Sequence, residues 1–111
     1  MIEPGATFKD NVQLLPPVDG VARIDLIDAA GAVVGGIANQ PGRQGSLAVY
    51  HYLAQQFDRL DAQAARHGLA LFAEHVADAQ DRPGAHPNID RLLAIAAGGD
   101  ALKIAVVVAG D

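Results

Sequence analysis

The sequence predicts an α+β fold, and three observations carry the prediction. From Val21 apolar and polar residues alternate (VARIDLID), and a second short apolar stretch, AVVGGIA, follows a small-residue turn. Between Ser46 and Ala96 apolar residues recur every three or four positions, interrupted at His67-Gly68 and Pro83-Gly84. LKIAVVVA then forms a continuous β-branched run of strand length. Period two marks a strand with one covered face, and three-to-four spacing marks an amphipathic helix. The expected architecture is a small sheet, made of a β-hairpin plus a C-terminal strand, packed on one face by three to four helices.

The elements follow in order. Residues 7 to 15 read as a short helix with Thr7 as N-cap, stopped by Pro16-Pro17. In VARIDLID, Ala22, Ile24 and Leu26 share one face, with Arg23, Asp25 and Ile27 on the other. AAG at 29–31 is the turn, and AVVGGIA returns as the second strand. There Gly35-Gly36 marks a bulge or a close backbone approach. Ser46 reads as the N-cap of SLAVYHYLAQQF, whose buried stripe is Leu47, Tyr50, Leu53, Ala54 and Phe57. Asp61 caps DAQAARHG, which His67-Gly68 ends or bends. A helix from about Leu69 to Gln80 buries Leu69, Phe72, Val76 and Ala79. The next, NIDRLLAIAAGG, buries Ile89, Leu92, Leu93 and Ala96. The closing run suits a strand covered on both faces.

Composition narrows the function. A chain of 111 residues is expected to form a single α+β domain, 1–111, with one core of Leu, Ile and Val, aromatics being only 5%. No apolar run approaches the ~20 residues that span a bilayer. MIEPGATFKD has neither the basic nor the apolar region of a secretory signal, so a cytoplasmic location is expected. There are no cysteines, which removes disulfides, thiolate catalysis and cysteine-ligated zinc. Eight Lys+Arg stand against thirteen Asp+Glu, a net charge of −5 with no basic cluster. Nucleic acid is disfavoured, because phosphate-backbone affinity comes from lysine and arginine, and a basic membrane helix is missing for the same reason. AVVGGIA would leave an exposed apolar edge, and pairing across a two-fold axis is a common way to cover one. A homodimer is therefore expected.

Three constellations are candidate sites. In LALFAEHVADAQDRPGAHPNIDRLL, the break at Pro83-Gly84 folds the segment back, so His75, Asp78 and His86 can meet as ligands of a divalent metal, with Glu74 or Asp90 as a catalytic base. Helix capping and solvated charges account for the same residues, with His86 or Asn88 as N-cap of the following helix. Gly42, Arg43, Gly45 and Ser46 form a glycine loop entering a helix. Free amides and a guanidinium there suit an anionic ligand, as a plain turn with a serine cap would also explain. The spacing is not that of a Walker loop, so no nucleotide is implied. In the Tyr50-His51-Tyr52 triplet, Tyr50 lies on the buried stripe, Tyr52 nearly opposite, and His51 about 100° from the stripe. Ser46 is the only serine, so a nucleophilic triad is not supported.

The pieces FKDNVQLLP, PGRQGSLAVYHYLAQQ and LFAEHVADAQDRPGAHPNIDRLL resemble a family of small bacterial proteins catalogued as a domain of unknown function. The resemblance runs from about Phe8 to Ile95. It implies a bacterial domain and transfers no catalytic residue. The expected function is a dimeric module binding a small anionic ligand or a protein partner. The alternative is a small metal-dependent hydrolase, phosphoesterase-like, in which Arg43 clamps the phosphate.

Overall fold

Thr7 opens the first helix by accepting a hydrogen bond from the Asp10 amide at 3.3 Å, and Pro16-Pro17 lie beyond its end. In the computed structural model, which describes residues 1–110, this helix, α1, spans Phe8–Leu14. β1 (Val21–Ile27) and β2 (Val33–Ala38) follow as an antiparallel hairpin. Asp28 shapes its turn by accepting from the amides of Ala30 and Ala32, at 3.0 and 2.9 Å, and Gly31 takes a positive φ of 87°. Then come α2 (Gln44–Gln56), α3 (Ala62–Phe72), α4 (His75–Asp81), α5 (Pro87–Ala96) and β3 (Lys103–Val108). Five helices and a three-stranded sheet make the α+β class plain, and no helix is long and apolar enough to cross a membrane among the described residues.

The sheet order is β2-β1-β3, antiparallel throughout, with Ile24 opposite both Ile37 and Val106. Val21, Ile24 and Leu26 face the helices. The register slips between Val21 and Arg23, so Val21 takes the inward place expected of Ala22. β3 is an edge strand and is not covered on both faces: Val106 and Val108 are 37% and 49% exposed. Its β-branched run gives the extended backbone but not the double burial.

α2 lies at the centre of the core and touches all three strands, α1 and α3. It buries Leu47, Ala48, Val49, Tyr50, Tyr52 and Leu53, more of its circumference than one stripe, so Tyr52 is buried although it sits away from Tyr50. Ala54 and Phe57, expected on the stripe, are only half-buried. Asp61 caps α3 through the Ala64 amide at 2.9 Å. The helix then runs through His67-Gly68 without ending. A β-carbon on Gly68 would lie 2.9 Å from methyls of both Leu53 and Leu92, so this glycine serves close packing of α3 on α2 and α5. The break falls instead at Ala73, with φ 52°, which divides the expected 69–80 helix between α3 and α4. On α5, Ile89, Leu92 and Ile95 are buried, while Leu93 and Ala96 are half-buried against the core.

Candidate functional site

The segment after β2 turns through Gly42, at φ 85°, and enters α2. The helix is capped three residues before the expected Ser46: Arg43 is its N-cap, with no side-chain cap, and Gln44 its first residue. Ser46 is inside the first turn and does not cap. The first turn carries no acidic side chain, so its amide donors and the positive end of the helix dipole are not neutralised locally. Gly45 is required here, since the Phe8 ring lies where a β-carbon would come within 2.8 Å.

On the other side, α3 delivers Phe72, α4 opens with His75, and α5 follows His86. Phe8 stacks on Phe72 with centroids 5.3 Å apart and meets His75 edge-on at 5.1 Å. The gap between these walls is a cleft of about 650 Å³. Clefts of this size take small molecules. The glycine loop Gly42–Ser46 and the two histidines His75 and His86, read from sequence as separate candidates, line this one cleft.

Arg91 is the cleft residue that sequence reading missed. Its Nη1 donates to the Tyr50 hydroxyl at 3.1 Å and to Asn88 Oδ1 at 3.0 Å, and its guanidinium carbon sits 5.6 Å from the Tyr50 ring centre. Tyr50 donates to the Asn88 carbonyl at 2.6 Å, and burial pushes its phenol up to about 12, so it remains a donor. Among the described residues, Nε and Nη2 of Arg91 make no hydrogen bond, and neither does the exposed side chain of Arg43. The only local sign was the Asn88–Arg91 spacing of one helical turn. The contact with Tyr50 spans 41 residues and has no sequence signature. Gly35 makes room for Arg91, since a β-carbon there would meet Nη2 at 3.2 Å. A β-carbon on Gly36 would press the Ile24 carbonyl at 2.9 Å. The glycine pair is thus a close backbone approach, and the hairpin's bulge lies between Leu26 and Ile27.

The carboxylates are turned to other work. Glu74 accepts from the Phe8 amide at 2.7 Å and steadies the start of α1. Asp90 accepts from the Gly84 amide at 3.0 Å and closes the Pro83-Gly84 turn. Asp78 is gripped by Arg82 on both oxygens and by His86 Nε2 at 2.5 Å. The Arg82 guanidinium, and after it the His86 ring, hold the Asp78 carboxyl well below the usual carboxylate range. His75 and His86 have ring centres 6.0 Å apart. The expected convergence of His75, Asp78 and His86 on one ion is not assembled: no group of three or more His, Asp or Glu among the described residues is placed to hold a metal. The reason is that Asp78 is consumed by the Arg82 pair one helical turn away. Neither Glu74 nor Asp90 lines the cleft.

His51 lies outside the cleft lining, and its Nδ1 is buried without a partner among the described residues. Tyr52 hydrogen-bonds His67 Nε2 at 2.8 Å and accepts from the Ile2 amide at 2.9 Å, which ties the first residues to α2 and α3.

No curated protein and no solved structure matches the chain. A family model described as "Uncharacterized protein conserved in bacteria (DUF2322)" matches residues 8–106, so the chain belongs to that bacterial family.

Proposed function

We propose that this member of a bacterial family binds a small anionic molecule in the cleft between the glycine loop and the α4–α5 turn. The observation that supports it best is the character of the lining. Arg43, Arg91, His75 and His86 line a space that, among the described residues, no carboxylate side chain borders, in a chain of net charge −5. Local accumulation of donors against the overall charge is what selective anion binding requires. The uncapped start of α2 adds backbone donors, and Phe8, Phe72, Ile37 and Ile89 supply an apolar wall for the rest of the ligand. The acidic surface favours a small molecule over a polynucleotide.

Calorimetric titration with inorganic phosphate at low ionic strength tests the reading. The parent protein takes up phosphate, and Arg91→Gln and Arg43→Gln each weaken it about 10-fold or more, as loss of a charge-assisted hydrogen bond requires. A parent that releases no heat, or variants that bind as tightly as the parent, refutes the assignment. The same reading keeps a second copy of the chain as partner along β2, where Val33 and Val34 are 62% and 55% exposed on an edge strand.

A further inference from the structure

We propose that the cleft is also catalytic, with His86 and His75 serving as base and acid in the metal-independent hydrolysis of a small phosphodiester held by Arg43 and Arg91. The inference rests on the anion-binding reading and adds to it a reaction. It starts from the hydrogen bond between His86 Nε2 and Asp78 Oδ2 at 2.5 Å. An ionised carboxylate can only accept, so Nε2 carries a proton, and in the neutral ring the lone pair is on Nδ1. Asp78 is itself fixed by Arg82 on both oxygens, so tautomer and ring orientation are set by residues outside the cleft. A carboxylate behind the imidazole also stabilises the imidazolium formed when that lone pair takes a proton.

His75 is the second proton carrier. Its ring centre is 6.0 Å from that of His86, and Phe8 packs against it edge-on. Hydrolysis at phosphorus needs one proton removed from the attacking oxygen and one delivered to the leaving oxygen, the two roughly in line. Each imidazole must come within about 3 Å of its oxygen, and two rings at this separation can bracket one phosphoryl group. Imidazole performs either role near neutral pH, which a carboxylate or ammonium ordinarily does not. No third ligand is needed, in keeping with carboxylates already committed elsewhere.

The substrate class follows from the remaining groups. A phosphodiester carries its charge on two non-bridging oxygens, which match the fork of a guanidinium, and Arg91 has Nε and Nη2 uncommitted. An uncharged carboxylic ester would make no use of two arginines. Water is the nucleophile, since among the described residues Ser46 hydrogen-bonds to neither His75 nor His86. In the step, the water oxygen forms a bond to phosphorus while its proton passes to His86. The bond from phosphorus to one ester oxygen breaks, and that oxygen takes the proton from His75. The products are a phosphomonoester and an alcohol, and the two rings exchange protons with solvent to reset.

The test uses the full chain in EDTA, with bis(4-nitrophenyl) phosphate and 2′,3′-cyclic nucleoside monophosphates as probes, beside phosphate titration. Turnover is expected in EDTA. It should fall about 10²- to 10⁴-fold in His86→Ala and His75→Gln, well beyond any loss of phosphate affinity titrated in the same variants. Asp78→Asn, which removes a positioning residue, should lower kcat and leave KM unchanged. A parent that binds phosphate but turns over neither probe overturns the catalytic inference alone. Turnover that survives in both histidine variants, or that EDTA abolishes, overturns it equally. A parent that binds no phosphate overturns the anion reading with it.

Discussion

Asn11→Ala tests the packing that puts Phe8 into the cleft wall. Asn11 is fully buried and makes three hydrogen bonds. Its Oδ1 accepts from the Gly5 amide at 2.6 Å, and its Nδ2 donates to the Gly5 carbonyl at 3.3 Å and to the Leu71 carbonyl at 2.9 Å. Leu71 lies in the last turn of α3, where carbonyls have no partner along the helix. Each bond contributes about 1 kcal/mol net, and a carbonyl left buried and unpaired costs about 1–3 kcal/mol. Of the three, only the Leu71 carbonyl sits on a fully buried residue, so the expected loss is about 3 kcal/mol, or roughly 12–20 °C in Tm for a domain of this size. Urea denaturation at equal m reads it directly. A loss under about 1 kcal/mol would refute the accounting. Asn11→Asp sharpens the test, because a carboxylate keeps the Gly5 amide bond and sets an oxygen against two carbonyls. Its folded pKa is thereby raised above an unfolded value of about 3.9. The deficit must then grow as pH rises above that value, by up to about 1.4 kcal/mol per unit until the folded pKa is passed.

Three further outcomes are expected. Ala73 holds φ 52° and ψ −121° between α3 and α4, so Ala73→Gly should stabilise by about 0.5–1 kcal/mol in urea and Ala73→Val should destabilise. Asp78 has its pKa depressed below the ordinary 3.8, so its contribution is present above that pH and is lost as pH falls through the folded value. Asp78→Asn should flatten the acid limb of the stability–pH curve. Val34→Lys places a charge on the β2 edge, so sedimentation equilibrium should find the parent dimeric and the variant monomeric; a monomeric parent removes the second copy as partner.

Much of the backbone was legible because its signals are local. Thr7 and Asp61 cap the helices their positions announced, and alternation from Val21 marked β1. What escaped depended on distant contacts. Gly68 reads as a helix end by propensity, yet Leu53 and Leu92 close on it from two other helices and hold the helix straight through. Ser46 looks like a cap until the turn at Gly42 lets α2 start earlier. The glycine loop and the histidine segment were both legible as chemistry, but not as parts of one cleft. That requires Phe8 to fill the gap over Gly45 and Arg91 to reach Tyr50. Spacing shows which residues can meet, and Asp78 does meet His86, but it does not show that Arg82, one helical turn on, engages both oxygens of the same carboxylate.

The place of β1 in the sheet has a kinetic consequence. One of its neighbours follows after a short turn, so that ladder closes at little entropic cost. The other arrives only after four intervening helices, with Ile24 pairing Val106 across most of the chain. Closing so large a loop is what slows folding, and it governs the rate more than the helices do. Until β3 docks, β1 has an open side bearing unpaired amides and carbonyls beside Val21, Ile24 and Leu26. β3 of a neighbouring copy, being identical, fits that opening as well as the chain's own. Strand exchange through β3 is therefore the characteristic misassembly of this topology, and dilution during refolding its remedy.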